Sequence, residues 1–164
     1  YKMGWRGINI DPIPGMKQKF DFLRPRDINI EAAISNDGQP MTYHAYDEGP
    51  YNTFDANLVE QRKVTHNLHP KQFYSVKTIA INELLKQHCN VPISFLSIDV
   101  ECMEFDILSA WNFNLFKPYM ICVEVKNFEF NRSFDDYPVI LLLIKHGYEI
   151  YAKCDHSLIF VVNS

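Results

Sequence analysis

Ile93-Ser-Phe-Leu-Ser-Ile98 runs directly into Asp99-Val-Glu101-Cys-Met-Glu104-Phe-Asp106-Ile-Leu108. The first six residues are almost all apolar, the pattern of a strand buried on both faces of a parallel sheet. Residues 103–110 read as a helix, so the pair is a strand, an acidic turn and a helix. Working outward toward the C-terminus, residues 119–125 form a second buried strand. Residues 137–146 form an apolar helix stopped by Gly147. Residues 148–152 and 157–162 close the chain as two strands joined by Lys153-Cys-Asp-His156. A parallel pair needs a long crossover, so these two must be antiparallel.

Toward the N-terminus the pattern is similar but weaker. Trp5-Arg-Gly-Ile-Asn-Ile10 is a strand candidate ending at Asp11-Pro12, and Met16, Phe20 and Leu23 then fall at helical spacing. Ile28, Ile30, Ala32 and Ile34 alternate with polar residues up to a Ser35-Asn-Asp-Gly38 turn. Residues 41–46 make a further strand. Residues 47–73, with Gly49-Pro50, Asn52, His66, His69 and Pro70, read as a long excursion holding a helical turn or two. Residues 75–78 are extended, and residues 79–88 carry Leu84 and Leu85 on one helical face. Strands alternating with helices predict an α/β layer architecture with a mainly parallel sheet, and there are no repeats or linkers to divide it.

Composition bounds the function. The chain has 164 residues, 47% of them hydrophobic and 22% charged, which is the profile of one globular domain able to bury a core unaided. A net charge of −4 offers no positive field for a phosphate backbone, so nucleic acid is disfavoured as a partner. The longest aliphatic run, residues 139–144, is far below the ~20 residues of a membrane span. Cys89, Cys102, Cys122 and Cys154 are too widely spaced for paired metal or redox chemistry and read as reduced thiols of a cytoplasmic protein. No basic start followed by an apolar core suggests a signal peptide.

In open α/β sheets ligands bind beyond the carboxyl ends of the strands. Polar residues stand at those ends: Asp11 after the first strand, Glu31–Ser35 at the end of the second, Asp99 and Glu101 after the buried strand, and Glu124 with Lys126 after the next. A carboxylate there can accept two hydrogen bonds from a ribose diol, although Asp11 before a proline also reads as a simple turn residue. The eight residues from Asp99 to Asp106 hold four carboxylates. Such crowding beside a low-dielectric strand end raises the pKa of at least one of them, which suits a general base or a ligand acceptor. Asp106 reads instead as an acid favoured by the positive end of a helix, and Glu104 fits either account equally. His66 and His69 lack a carboxylate or Cys at ligand spacing and read as solvated, and no metal site is expected. His44 and His156 are isolated. Phe113, Phe116, Phe128, Phe130 and Phe134 read first as core and rim packing, and second as an apolar wall for a substrate.

On the segments 5–12, 28–35, 95–108 and 118–124, with Gly147-Tyr148, the chain resembles the FkbM-type S-adenosylmethionine-dependent methyltransferases. The Asp99-x-Glu101-x-x-Glu104 stretch is the most specific part. The resemblance implies a class I methyltransferase fold, a Rossmann-like three-layer sandwich whose last strand is antiparallel. It implies S-adenosylmethionine as cofactor and O-methylation of a sugar or natural-product hydroxyl. It also implies that Asp11 binds the cofactor ribose, that Ala32 and Ala33 lie near the adenine, and that Asp99 and Glu101 face the methionine end and the acceptor. Two departures stand out. Cys102 occupies the position of the family's glycine after the Glu, and a left-handed backbone there would cost a Cys roughly 1–2 kcal/mol. The family's glycine-rich cofactor loop is absent, so the chain reads as N-terminally truncated, missing a central strand and weak in cofactor binding.

In methyl transfer the acceptor oxygen must lie in line behind the methyl group, so positioning carries much of the acceleration. Glu101 is the first choice for the base that takes the hydroxyl proton and Asp99 the second, with Asp99 equally suited to the cofactor's cationic amino group. The alternative is a truncated, non-catalytic methyltransferase-like interaction module. A different nucleotide-binding α/β protein would lack any phosphate motif here.

Overall fold

A computed structural model describes residues 1–36, 38–100 and 103–163. The chain divides into two compact units, Tyr1–Leu84 and Leu85–Ser164.

In the first unit, β1 (Ile8–Asp11) and β2 (Ile28–Glu31) pair in parallel, with α1 (Met16–Leu23) between them in sequence. Their sequences, Ile-Asn-Ile-Asp and Ile-Asn-Ile-Glu, align residue for residue, so Asn9 meets Asn29 and Asp11 meets Glu31. Two asparagines side by side, Asn29 buried and Asn9 half-buried, require that their amides be satisfied. Asn9 donates to Asn29 Oδ1 (2.8 Å) and to Asp27 Oδ2 (3.1 Å), and Asn29 donates to Asp21 Oδ1 (3.0 Å). Asp27 is the hub: it also accepts from the Gly7 amide and from Arg24 Nε, and its side chain is fully shielded from solvent. Burial alone would push the Asp27 carboxyl up, but the bonds from Asn9, Arg24 and Gly7 outweigh it and hold it below the ordinary carboxylate range.

The alternation over residues 28–34 does not make one strand. The chain breaks at Ala32, and β3 (Ala33–Ser35) leaves β2 to pair in parallel with β6 (Thr78–Ala80). Alternation fixes which face a residue occupies, not which partner the backbone takes. β4 (Met41–Ala45) pairs antiparallel with β5 (Gln72–Val76), and Tyr43 and Val76 pack with Ala33 in a small core.

Residues 47–73 depart most from the sequence reading. They hold a 3-10 turn (Gly49–Tyr51) and an 11-residue helix, α2 (Ala56–His66). Asp55 starts that helix as N-cap, accepting from the amides of Asn57 and Leu58, and Asn67 ends it at φ +51°. Val59 is the one buried residue in α2, so there is no apolar stripe to read from sequence.

From the first unit α3 (Ile81–His88) leads into the second. There β7 (Phe95–Ile98), β8 (Met120–Glu124), β10 (Ser157–Val162) and β9 (Tyr148–Cys154) form one sheet in the order β7-β8-β10-β9. β7 and β8 are parallel, while β10 is antiparallel to both neighbours. Burial of β7 on both faces does not hold: Phe95 is 42% exposed and Ser97 is exposed. β7 is the end strand, paired only with β8 among the described residues, and an edge strand lacks the second neighbour that would cover it. β8 does meet the expectation, with Ile121 and Val123 fully buried between β7 and β10.

The core of this unit is apolar: Ile121, Val123, Leu158 and Phe160 from the sheet, Ile107 and Leu108 from α4 (Glu104–Ala110), Ile140 and Leu143 from α5 (Pro138–Lys145). Gly147 ends the α5 turn at φ +80°, which only glycine adopts freely. Buried Tyr148 donates its hydroxyl to the Pro118 carbonyl at 2.6 Å, and burial pushes its phenol pKa well up. The architecture is mixed α/β with small sheets, in place of one mainly parallel sheet. Among the described residues no helix is long and apolar enough to cross a membrane.

Candidate functional site

The carboxyl ends of β7 and β8 bring three acids together. One carboxylate oxygen each from Asp99, Glu104 and Glu124 lie within 4.8 Å of one another. Asp99 follows the last residue of β7 and is exposed, and Glu124 is the last residue of β8. Parallel pairing of Ile98 with Val123 sets the two chain ends level, which is why residues distant in sequence meet. Glu104, the first residue of α4, is buried and turns one oxygen back to accept the Val100 amide at 3.0 Å. That bond settles its ambiguity in one respect: Glu104 ties the strand-to-helix connection together. Asp106 is exposed in the first turn of α4, where a negative charge meets the unpaired amides.

Burial pushes the Glu124 carboxyl above the ordinary range, and the nearby charges of Asp99 and Glu104 add to the rise. Lys126, 3.2 Å from Glu124 Oε2, opposes it in part. Glu124 and Lys126 stand at a strand end in the sequence and were given no role by sequence reasoning. The strand-end rule that selected Asp99 named them as well, without a chemical task. A cleft of about 180 Å³ lies beside them, lined by Glu104, Glu124, Lys126, Asp136 and Tyr137. Tyr137 is fixed there, donating to the Asn127 carbonyl and accepting from the Glu129 amide. Glu101 and Cys102 lie outside the described residues.

The remaining candidates belong to the first unit. Asp11 closes β1, with Oδ1 accepting the Ile13 amide at 2.8 Å. Burial raises its pKa, the Ile13 bond opposes this, and the carboxylate of Glu31 beside it raises it further. Glu31 is committed to the Gly15 amide at 2.7 Å, at the start of α1. Ala32 and Ala33 are buried, their amides bonded to the carbonyls of Asp11 and Lys77.

A family model described as the methyltransferase FkbM domain matches residues 1–150. The chain belongs to the FkbM methyltransferase family. It is a methyltransferase by that membership, and the match takes in every element from β1 through α5. No curated protein and no solved structure matches the chain. Within this FkbM domain the aromatic residues after β8 divide: Phe128 is buried against Phe130, Phe134 and Tyr137, while Phe130 is 65% exposed. His66 on α2 and His69 beyond it are both exposed. Among the described residues Cys89, Cys122 and Cys154 are free thiols.

Proposed function

We propose that this FkbM domain transfers a methyl group from S-adenosylmethionine to a hydroxyl of a sugar or natural-product acceptor. The observation that carries this reading is the meeting of Asp99, Glu104 and Glu124 at adjacent parallel strand ends. The order β7-β8-β10-β9 with β10 reversed supports a class I, Rossmann-like arrangement.

Asp11 suits the cofactor's ribose. Only Oδ1 is committed to the chain, and the second oxygen makes no hydrogen bond among the described residues. Ala32 and Ala33, which the resemblance puts near the adenine, follow at the end of β2 and the start of β3. Bound S-adenosylmethionine supplies an activated methyl group whose departure needs no acid. The chain's own task is then to orient the acceptor and take its proton. Glu101 is assigned as that base. Asp99 holds the acceptor hydroxyl or the cofactor's amino group. Glu124, whose carboxyl pKa burial raises, is able to share the released proton.

The test is transfer of labelled methyl from S-adenosylmethionine to a panel of glycosides and hydroxylated natural products. Glu101→Gln should lower turnover with little change in cofactor affinity, and Asp11→Ala should weaken cofactor binding measured by calorimetry. Full turnover in Glu101→Gln would remove that residue as the base.

A further inference from the structure

The first unit holds a second cleft, of about 270 Å³, between the residues after β4 and the chain leaving α2. Pockets for drug-sized molecules run from ~300 to 1,000 Å³, so this one suits a single ring. We propose that this cleft binds a saccharide ring.

Two tyrosines form its rigid side. Tyr46 and Tyr51 have ring centroids 6.3 Å apart, and the Arg62 guanidinium lies over both, 5.7 and 5.4 Å from their centroids. Arg62 also donates to the Tyr51 carbonyl, and the Tyr46 amide donates to Asn52 Oδ1. Tyr51 as a residue remains 39% exposed, and its ring offers an apolar surface for the C–H face of a sugar.

The polar lining supplies acceptors and donors together. Glu48 presents a carboxylate with no partner among the described residues. Asn67 and His69 bond each other at 3.2 Å and retain further capacity, and Lys71 pairs with Asp47 at 3.3 Å. Tyr46 is 92% buried, and its hydroxyl has no hydrogen-bond partner. A buried hydroxyl left unpaired is a standing cost to this part of the unit.

The charge pattern selects among ligands. An anion would meet two carboxylates and a lysine already paired with one of them. A cation would meet Lys71 and, beside the tyrosines, the Arg62 guanidinium. A neutral ligand whose every hydroxyl both donates and accepts matches the mixture. The cleft lies outside the residues assigned to methyl transfer, so its occupancy stands or falls independently of that chemistry.

The experiment is saturation-transfer NMR on the full chain with the methyl α-pyranosides of glucose, mannose and galactose, each titrated separately. At least one is expected to saturate, and Glu48→Gln should weaken it about tenfold, the effect of losing a hydrogen bond to a charged group. Tyr51→Ala should weaken it as well. Glu48→Gln changes an exposed side chain, so folding does not confound it. Absence of saturation by all three glycosides would overturn the proposal, as would binding unchanged in both variants. Displacement of the glycoside by inorganic phosphate or tetramethylammonium at lower concentration than by the free sugar would overturn it too.

Discussion

The two units solve the same problem with different materials. The second is held by a layered apolar core, in which Ile121, Val123, Leu158, Phe160, Ile140 and Leu143 are all fully buried. The first joins β1, β2 and α1 through Asp27, Asn9, Asn29 and Asp21, and α1 buries no residue at all. Apolar burial is non-directional and tolerates small shifts, whereas a polar network fails when one member is left unpaired. The second unit should therefore lose stability in proportion to volume removed, and the first in proportion to partners removed.

The largest expected effect lies in the second unit. Phe160→Ala should cost about 3–5 kcal/mol, read from denaturant midpoints, because a fully buried ring leaves a cavity its neighbours cannot fill. A loss below about 1 kcal/mol would mean that the core is looser than its burial suggests. In the first unit Asp27→Ala should cost about 1–3 kcal/mol by stranding Asn9 and the Gly7 amide. Equal loss in Asp27→Asn, which keeps the volume, would show that charge and geometry outweigh packing there.

How much of this was legible follows the same division. Strands β8, β9 and β10 and helix α5 announced themselves because apolar period and burial agree, and Gly147 marked the stop. Helix α2 did not, because its signal is a capping bond from Asp55 and a single buried Val59, neither of which shows as periodicity. The break at Ala32 was equally silent, since strand partner choice is a tertiary decision. For the site, Asp99 and Asp11 could be placed at strand ends from sequence, but the approach of Glu124 to Asp99 depends on the β7–β8 register. Neighbours across a sheet have no signature along the chain.

Acid titration sharpens the contrast. Asp27 has its pKa lowered in the folded state, so its contribution is present above the ordinary carboxylate pKa and lost as pH falls through the lowered value. Glu124 has its pKa raised, so its folded form binds the proton more tightly and its contribution is lost as pH rises through that interval. Hydrogen exchange followed from about pH 3 to 7 should therefore show opposite slopes removed by Asp27→Asn and by Glu124→Gln. Slopes of the same sign would break the comparison. The smallest effect belongs to α2: Asp55→Ala should cost about 1 kcal/mol and speed exchange in that helix first.

Tyr148 gives the second unit an optical handle. Its hydroxyl, bound to Pro118 and shielded, stays protonated when accessible phenols ionise in mild alkali. Phenolate absorbs in the ultraviolet where phenol does not, so a late step in absorbance on raising the pH reports the opening of this unit. The sheet thereby carries its own indicator dye, read without a label.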